Sequence, residues 1–263
     1  MVGGLGACND DEHPAEKPAG AKAASTIGLY KVAEGKFYMR NSNAAGNPDM
    51  TFTYGPTGQK LLAVAGDWDG DGTSGVGLYN PTTATWYLRN SPSNGAADIT
   101  FLFGPAGQGL LPVVGDWDGD KKDTIGLYDP AKGIWYLKNS NASGNADISL
   151  SFGPANAGWL PVAGDWDGDG KDGIGLYDPA KGNWYLKNAP ATGNADMTFS
   201  FGAANAGWLP FAGDWDADGK ESVGLYDSAK NSAFLKNSNS AGEADVTFLF
   251  GPGDARPIAG RWK

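Results

Sequence analysis

The tetrapeptide Ile174-Gly175-Leu176-Tyr177 decides the fold, because this 263-residue chain contains it five times at one spacing. With Ile or Val in the first position, it begins at Ile27, Val76, Ile125, Ile174 and Val223, and each copy starts 49 residues after the one before. A strict period of this length indicates a repeat architecture, in which each unit is one small sheet that packs against its neighbours.

The unit around that tetrapeptide predicts four short strands. Its apolar runs are Leu160 to Asp165, Ile174 to Tyr177, Trp184 to Lys187 and Met197 to Phe201, and turns rich in Gly, Pro, Asn and Asp separate them. Four short antiparallel strands per unit of about 40–50 residues are typical of a β-propeller blade.

The two ends of the repeat region complement each other. The first unit begins with Ile27 to Val32, and the chain finishes with Pro257 to Trp262, which matches the first strand of the other units. An open ring would leave both sheet edges exposed. We therefore predict an all-β fold over residues 27–263, a five-bladed β-propeller with four antiparallel strands per blade that closes when the C-terminal strand joins the first blade.

Residues 1–26 are expected to form a separate segment. Leu5-Gly6-Ala7-Cys8 resembles the lipobox of bacterial lipoprotein precursors, and residues 9–25 are polar and typical of a flexible tether. The resemblance implies lipidation of Cys8 and an extracytoplasmic protein, secreted or at the bacterial cell surface, that contacts a membrane only through this anchor. Because only seven residues precede Cys8, a leader with an unrelated cysteine is the alternative.

Composition excludes several function classes. A formal charge of −10 argues against nucleic acid as a partner, because phosphate binding needs a basic face. Cys8 and His13 are the only residues of their types and precede the repeats, so a Cys-His or Ser-His pair inside the repeats is excluded. Nearly every acid of the repeats recurs in other units, unlike the paired carboxylates of a glycosidase. We expect the protein not to be an enzyme.

The acidic segments carry a family resemblance. The sequences GDWDGDG (residues 66–72 and 164–170), GDWDGDK (115–121) and GDWDADG (213–219) precede the tetrapeptide, and Phe-Gly-Pro follows at residues 103–105 and 152–154. These motifs resemble the FG-GAP or VCBS-type repeats of bacterial secreted proteins, relatives of the integrin α propeller. The resemblance implies that the acidic loop joins the first and second strands of each blade and often holds Ca²⁺, and that such blades serve adhesion, glycan binding or scaffolding.

Each acidic loop carries three acids at alternate positions, which can converge on one cation, and carboxylate oxygens suit Ca²⁺. The family's further acid, at the ninth loop position, is absent here, and Asp123, Asp172 and Glu221 stand one residue earlier. The alternative is a set of Asp-Gly turns whose carboxylates accept backbone N–H groups. The candidate calcium ligands are Asp67, Asp69 and Asp71; Asp116, Asp118 and Asp120; Asp165, Asp167, Asp169 and Asp172; and Asp214, Asp216, Asp218 and Glu221.

The acid count ranks these loops. The last two loops have the fullest ligand sets, and we expect them to bind Ca²⁺ best. Blade 1 has Gly260-Arg261-Trp262-Lys263 at the equivalent place and should bind no metal.

Positions that differ between units are the candidates for ligand binding. Leu61, Leu110, Trp159 and Trp208 are equivalent, and each precedes an innermost strand. Trp159 and Trp208 could form a platform for a sugar ring beside the turns that hold Lys132 and Lys181. The alternative is that both indoles pack on the next blade.

We therefore expect a non-catalytic binding module, which recognises a carbohydrate or a surface protein through repeated weak sites. A structural component of the cell surface or of a filament, or a scaffold for protein docking, is the alternative.

Overall fold

The structure, a computed structural model, describes residues 23–262. The predictions for Cys8 and for residues 9–22 of the tether lie outside this range. Over the described residues the chain forms twenty strands in five four-stranded antiparallel sheets. Within the same range there is no helix of the length and apolarity needed to cross a membrane.

Each sheet is one blade. Blade 1 contains β1 (Thr26–Lys31), β2 (Lys36–Met39) and β3 (Met50–Thr53), together with the last strand of the chain, β20 (Arg256–Gly260). Blade 2 contains β4 (Leu62–Gly66), β5 (Gly75–Asn80), β6 (Thr85–Arg89) and β7 (Ile99–Leu102). Blade 3 contains β8 (Leu111–Gly115), β9 (Thr124–Asp129), β10 (Ile134–Leu137) and β11 (Ile148–Ser151). Blade 4 contains β12 (Leu160–Gly164), β13 (Gly173–Asp178), β14 (Asn183–Lys187) and β15 (Met197–Ser200). Blade 5 contains β16 (Leu209–Gly213), β17 (Ser222–Asp227), β18 (Ser232–Leu235) and β19 (Val246–Leu249).

The innermost strands β4, β8, β12, β16 and β20 contact one another in a closed circle, which confirms the five-bladed propeller. The predicted closure is also confirmed. β20 pairs antiparallel with β1, with Thr26 opposite Gly260 and Tyr30 opposite Arg256. The last strand thus begins one residue earlier than predicted and ends two residues earlier.

Glycine in the repeated tetrapeptide permits the close packing of each blade. A Cβ atom on Gly77 would lie 2.7 Å from Leu88 Cδ2 and 2.8 Å from Val64 Cγ2, so a larger residue would force neighbouring strands apart. The tryptophans that follow the innermost strands are buried against these sheets in all five blades: Trp68, Trp117, Trp166, Trp215 and Trp262. Their role is to fill the space between neighbouring sheets.

A repeated aspartate fixes the turn before each outermost strand. In blade 2 the Asn90 N–H donates to Asp98 Oδ2 at 2.8 Å, and the other four blades repeat this bond. A Lys or Arg from the end of the preceding strand forms an ion pair with the same carboxylate in every blade. Five equivalent copies of this arrangement indicate a structural anchor.

Candidate functional site

Each acidic loop folds around its first aspartate. In blade 4, Asp165 Oδ1 accepts the N–H groups of Gly168 at 2.7 Å and Asp169 at 3.1 Å, and Asp165 Oδ2 accepts that of Gly170 at 2.9 Å. These bonds are the Asp-Gly turn chemistry that the sequence offered as the alternative to metal binding. Burial nonetheless raises the pKa of Asp165 above its usual value.

The same loops bring three carboxylates together. In blades 2 to 5, one carboxylate oxygen from each of the three alternate acids lies within 4.8 Å of the other two. Calcium takes carboxylate oxygens as ligands, so each group of three acids is a candidate site for one ion. The second acid of each loop is exposed, and in blades 3 to 5 its only backbone bond is a long one of 3.3 Å. The three alternate acids thus have the ligand chemistry of a calcium site, while the first acid also accepts the turn bonds.

Asp172 and Glu221 do not complete these ligand sets. Asp172 Oδ2 accepts the N–H of Asp116 in the preceding blade at 2.9 Å, and Glu221 reaches the end of the preceding innermost strand at Gly164. From the sequence we expected both residues to join the acids of their own loops, and the structure does not place them there. The physical reason is that this residue lies at the blade boundary, where the neighbouring backbone is nearer than its own loop.

A circle of backbone bonds joins the blades at this position. The residue before the second strand of each blade donates its N–H to the first loop residue of the preceding blade, at 2.6–2.8 Å. These donors are Ser25, Ser74, Asp123, Asp172 and Glu221. They surround the mouth of the central channel, where a cavity of about 410 Å³ opens.

The channel mouth brings three half-buried acids together. Burial and the neighbouring carboxylates raise the pKa of Asp123 to about 6 and that of Asp172 well above its usual value. Burial raises the pKa of Glu221 to about 7, although Arg261 opposes the effect. Arg261 also lies 3.4 Å from Asp214 Oδ2, so the blade 5 loop already has a cation beside its first acid. This weakens the case for calcium in blade 5 relative to blade 4.

Neighbouring blades also meet at a groove, and the first two grooves are lined by loops from both ends of the strands. We number the grooves from the first, between blades 1 and 2, to the fifth, between blades 5 and 1. One half-buried aromatic side chain from the middle of a blade's third strand forms the floor of each groove. In order, these floor residues are Tyr87, Tyr136, Tyr185, Phe234 and Tyr38.

Trp159 and Trp208 occupy two of these grooves. The Trp159 ring stacks on Tyr185 with centroids 4.4 Å apart and planes at 8°, and the Trp208 ring stacks on Phe234 at 4.5 Å and 15°. Packing of both indoles on the next blade was the alternative to a sugar platform, and the structure has this packing. Both indoles are half-buried, with one face of each ring stacked against the next blade.

Lys132 and Lys181 are exposed but engaged within their own turns. Lys132 Nζ lies 2.9 Å from Asp129 Oδ2, and Lys181 Nζ lies 3.9 Å from Asp178 Oδ2. Both turns are at the same end of the strands as Trp159 and Trp208, as predicted. Neither lysine lines the cavities of the first and second grooves.

The floor residues were not among the candidates predicted from the sequence. Their signal is strand alternation: in Trp86-Tyr87-Leu88, Trp86 and Leu88 are fully buried in the blade, so Tyr87 points to the other face. An aromatic residue repeated on that face in all five blades could have been recognised as the wall of a groove.

No protein-family profile and no curated protein matches the sequence. The resemblance to FG-GAP or VCBS repeats therefore stays a prediction. Solved structures match over most of the chain at low identity. BBS1N in complex with ARL6DN, soaked with lead, is 11% identical with a TM-score of 0.42, covering 84% of this chain and 69% of that one. An Agrocybe aegerita lectin, solved for its recognition of non-reducing terminal N-acetylglucosamine, is 13% identical with a TM-score of 0.42, covering 84% and 75%. This likeness assigns no function.

Proposed function

We propose that this propeller is a non-catalytic, extracytoplasmic binding module that recognises neutral carbohydrate through the grooves between its blades, on a scaffold stabilised by calcium. The observation that carries the proposal is an aromatic floor beside an open cavity, which occurs in the first and second grooves. An aromatic ring of this kind packs well against the apolar face of a sugar. Repetition around the propeller would give avidity for a repeated ligand even where each contact is weak.

The lining of the grooves supports a neutral ligand. The residues that line the first and second grooves are uncharged, although the chain as a whole carries a formal charge of −10. An anionic polymer would be repelled by the molecule, and a cation would find no counter-charge there. A neutral pyranose has an apolar face for the aromatic floor and hydroxyl groups for the polar rim.

A second candidate function is docking of a protein, and one observation favours it. Leu102 and Leu249 occupy equivalent places on the outermost strands of blades 2 and 5, and they are 57% and 62% exposed. Exposed leucines on a sheet edge are a feature of interaction surfaces.

A glycan array probed with the full chain tests the proposal. We expect binding to a related group of neutral glycans, and the Leu102→Ser/Leu249→Ser variant should bind the same glycans equally well. An array without bound glycans would contradict the carbohydrate function. Glycan binding that disappears in the leucine variant would move the site from the grooves to the sheet edges.

A further inference from the structure

The grooves are not equivalent in what covers their floors. Trp159 and Trp208 cover the floors of the third and fourth grooves by stacking at 4.4 and 4.5 Å. In the fifth groove, Lys36 Nζ lies 5.1 Å from the centre of the Tyr38 ring, and the Tyr38 hydroxyl donates to Glu34 Oε2 at 2.6 Å. Two floors are therefore covered by tryptophan, and the fifth is engaged by charged side chains of its own blade.

The first and second grooves are open. Leu61 and Leu110 stand where the other two units have tryptophan, and each leucine is buried beside its floor tyrosine. A cavity of about 260 Å³ lies beside Tyr87, and one of about 380 Å³ lies beside Tyr136. The smaller leucine leaves space of the kind that an indole fills in the third groove.

We propose that the first and second grooves are two pyranose-binding sites, in which the apolar face of the sugar stacks on Tyr87 and on Tyr136. This inference rests on the proposed function, and it places the sugar in the grooves that carry leucine instead of those that carry tryptophan. Trp159 shows what the groove accepts, namely a flat ring lying almost parallel to the floor at 4.4 Å. A pyranose is also a ring with an apolar face, and stacking of this kind is the usual contact of a sugar with an aromatic side chain.

The rims of both grooves carry polar groups for sugar hydroxyls. Gln59 lines the first groove, Asn145 lines the second, and both side chains are exposed. The first groove has one further polar group, because Tyr54 stands where the other units have phenylalanine. The Tyr54 hydroxyl is buried and has no hydrogen-bond partner among the described residues. A buried hydroxyl without a partner is unfavourable, and a ligand hydroxyl in this groove could supply the missing bond.

The chain offers matched variants for the test, because its own units already contain both residues at this position. Leu61→Trp/Leu110→Trp places in the open grooves the indole that the third groove accommodates over the same floor residue, tyrosine. Trp159→Leu does the reverse and opens the third groove over Tyr185. Circular dichroism and thermal melting of each variant check that the propeller is retained.

Binding is measured on the full chain by saturation-transfer NMR and titration calorimetry with a panel of neutral methyl glycosides. N-acetyl-tryptophanamide serves as the aromatic probe. We expect two glycoside sites in the wild-type chain, none in the double tryptophan variant and three in Trp159→Leu. Tyr87→Ala/Tyr136→Ala should also lose binding, because the stacking surface is removed.

The outcomes separate this inference from the proposed function. Glycoside binding that persists in the Leu61→Trp/Leu110→Trp variant, or that is lost in Trp159→Leu, would overturn the inference and leave the carbohydrate function standing. Binding of N-acetyl-tryptophanamide alone, abolished by the double tryptophan variant, would make the grooves sites for an aromatic side chain of a partner protein and overturn the sugar assignment. Binding of neither probe would reject both.

Discussion

Two tyrosine hydroxyls in the core differ in whether they have a hydrogen-bond partner. The hydroxyl of Tyr226 donates to the carbonyl oxygen of Phe250 at 3.0 Å, whereas that of Tyr54 is buried without a partner among the described residues. A buried polar group costs about 1–3 kcal/mol when it is left unpaired, and a paired one contributes roughly 0.5–1.5 kcal/mol. The two sites form a natural comparison, because removal of the hydroxyl has opposite consequences for the free energy of unfolding.

We predict that Tyr54→Phe raises the free energy of unfolding by about 1 kcal/mol and that Tyr226→Phe lowers it by about 1 kcal/mol. Phenylalanine occupies the Tyr54 position in the other units, so the ring should fit without strain. Urea denaturation of the ligand-free chain measures both changes. A loss of stability in Tyr54→Phe would mean that the hydroxyl has a partner, such as a buried water.

The acidic loop can be interpreted either as an Asp-Gly turn or as a calcium site. Its first aspartate caps the turn with both oxygens, and the second aspartate is exposed. In blades 3 to 5 the second aspartate accepts one long bond, and in blade 2 Asp69 also accepts the Asn90 side chain at 2.8 Å. Removal of the first acid would therefore break the turn with or without metal, and only the second acid separates the two roles. The second acids are Asp69, Asp118, Asp167 and Asp216.

We predict that Ca²⁺ raises the melting temperature of the wild-type chain relative to EDTA, because an ion that binds only the folded state stabilises it. At about 100 times its Kd, the ion would contribute roughly 2.7 kcal/mol per site. The variant with all four second acids changed to Asn should melt in EDTA close to the wild type and gain little from Ca²⁺. Identical wild-type melting curves in EDTA and in millimolar Ca²⁺ would show that the loops are turns only.

The strands were predictable from the sequence, because the 49-residue period aligns the units and the turn residues within each unit mark where strands end. The side-chain directions were not, since they depend on the neighbouring blade. Asp172 binds the backbone of blade 3, and Trp159 stacks on Tyr185 of blade 4, a residue 26 positions later. In a repeat protein the strands of one unit can be predicted from that unit alone. The side chains that fill a groove can be predicted only when the positions of both neighbouring units are known.

At the scale of the whole molecule, one strand closes the circle. β20 pairs with β1 and contacts the innermost strands of blades 2 and 5. Without it, β1 would present an unpaired edge in the centre of the protein, and the buried side chains of Ile258 and Trp262 would leave a gap between blades.

We predict that deletion of residues 257–263 makes the protein insoluble or lowers its melting temperature strongly. Solubility after expression and thermal melting by circular dichroism measure the effect. A matched control is deletion of residues 1–22, which lie outside the described propeller. A soluble C-terminal deletion with an unchanged melting curve would refute the stabilising role of closure.

The channel mouth makes the stability of the whole circle depend on pH. Asp123, Asp172 and Glu221 all have a folded-state pKa raised above the unfolded values of about 3.9 for Asp and 4.3 for Glu. Between about pH 4 and pH 7 the folded state therefore holds more protons than the unfolded chain. Stability must then fall as pH rises through this window, because the buried carboxylates become charged beside one another. Groups with a lowered pKa, such as Asp245, lose their contribution only at lower pH.

We predict that the wild-type chain in EDTA has a higher free energy of unfolding at pH 5 than at pH 8. The variant Asp123→Asn/Asp172→Asn/Glu221→Gln should lose part of this difference, since an amide cannot be ionised and Asn keeps an acceptor oxygen for the N–H groups that Asp123 and Asp172 bind. The rest should remain, because the pKa values of Asp67, Asp165 and Asp216 are also raised. Urea denaturation at several pH values measures both chains. A wild type that is more stable at pH 8, or a variant with the full pH dependence of the wild type, would show that these three acids do not couple the joining of the blades to protonation.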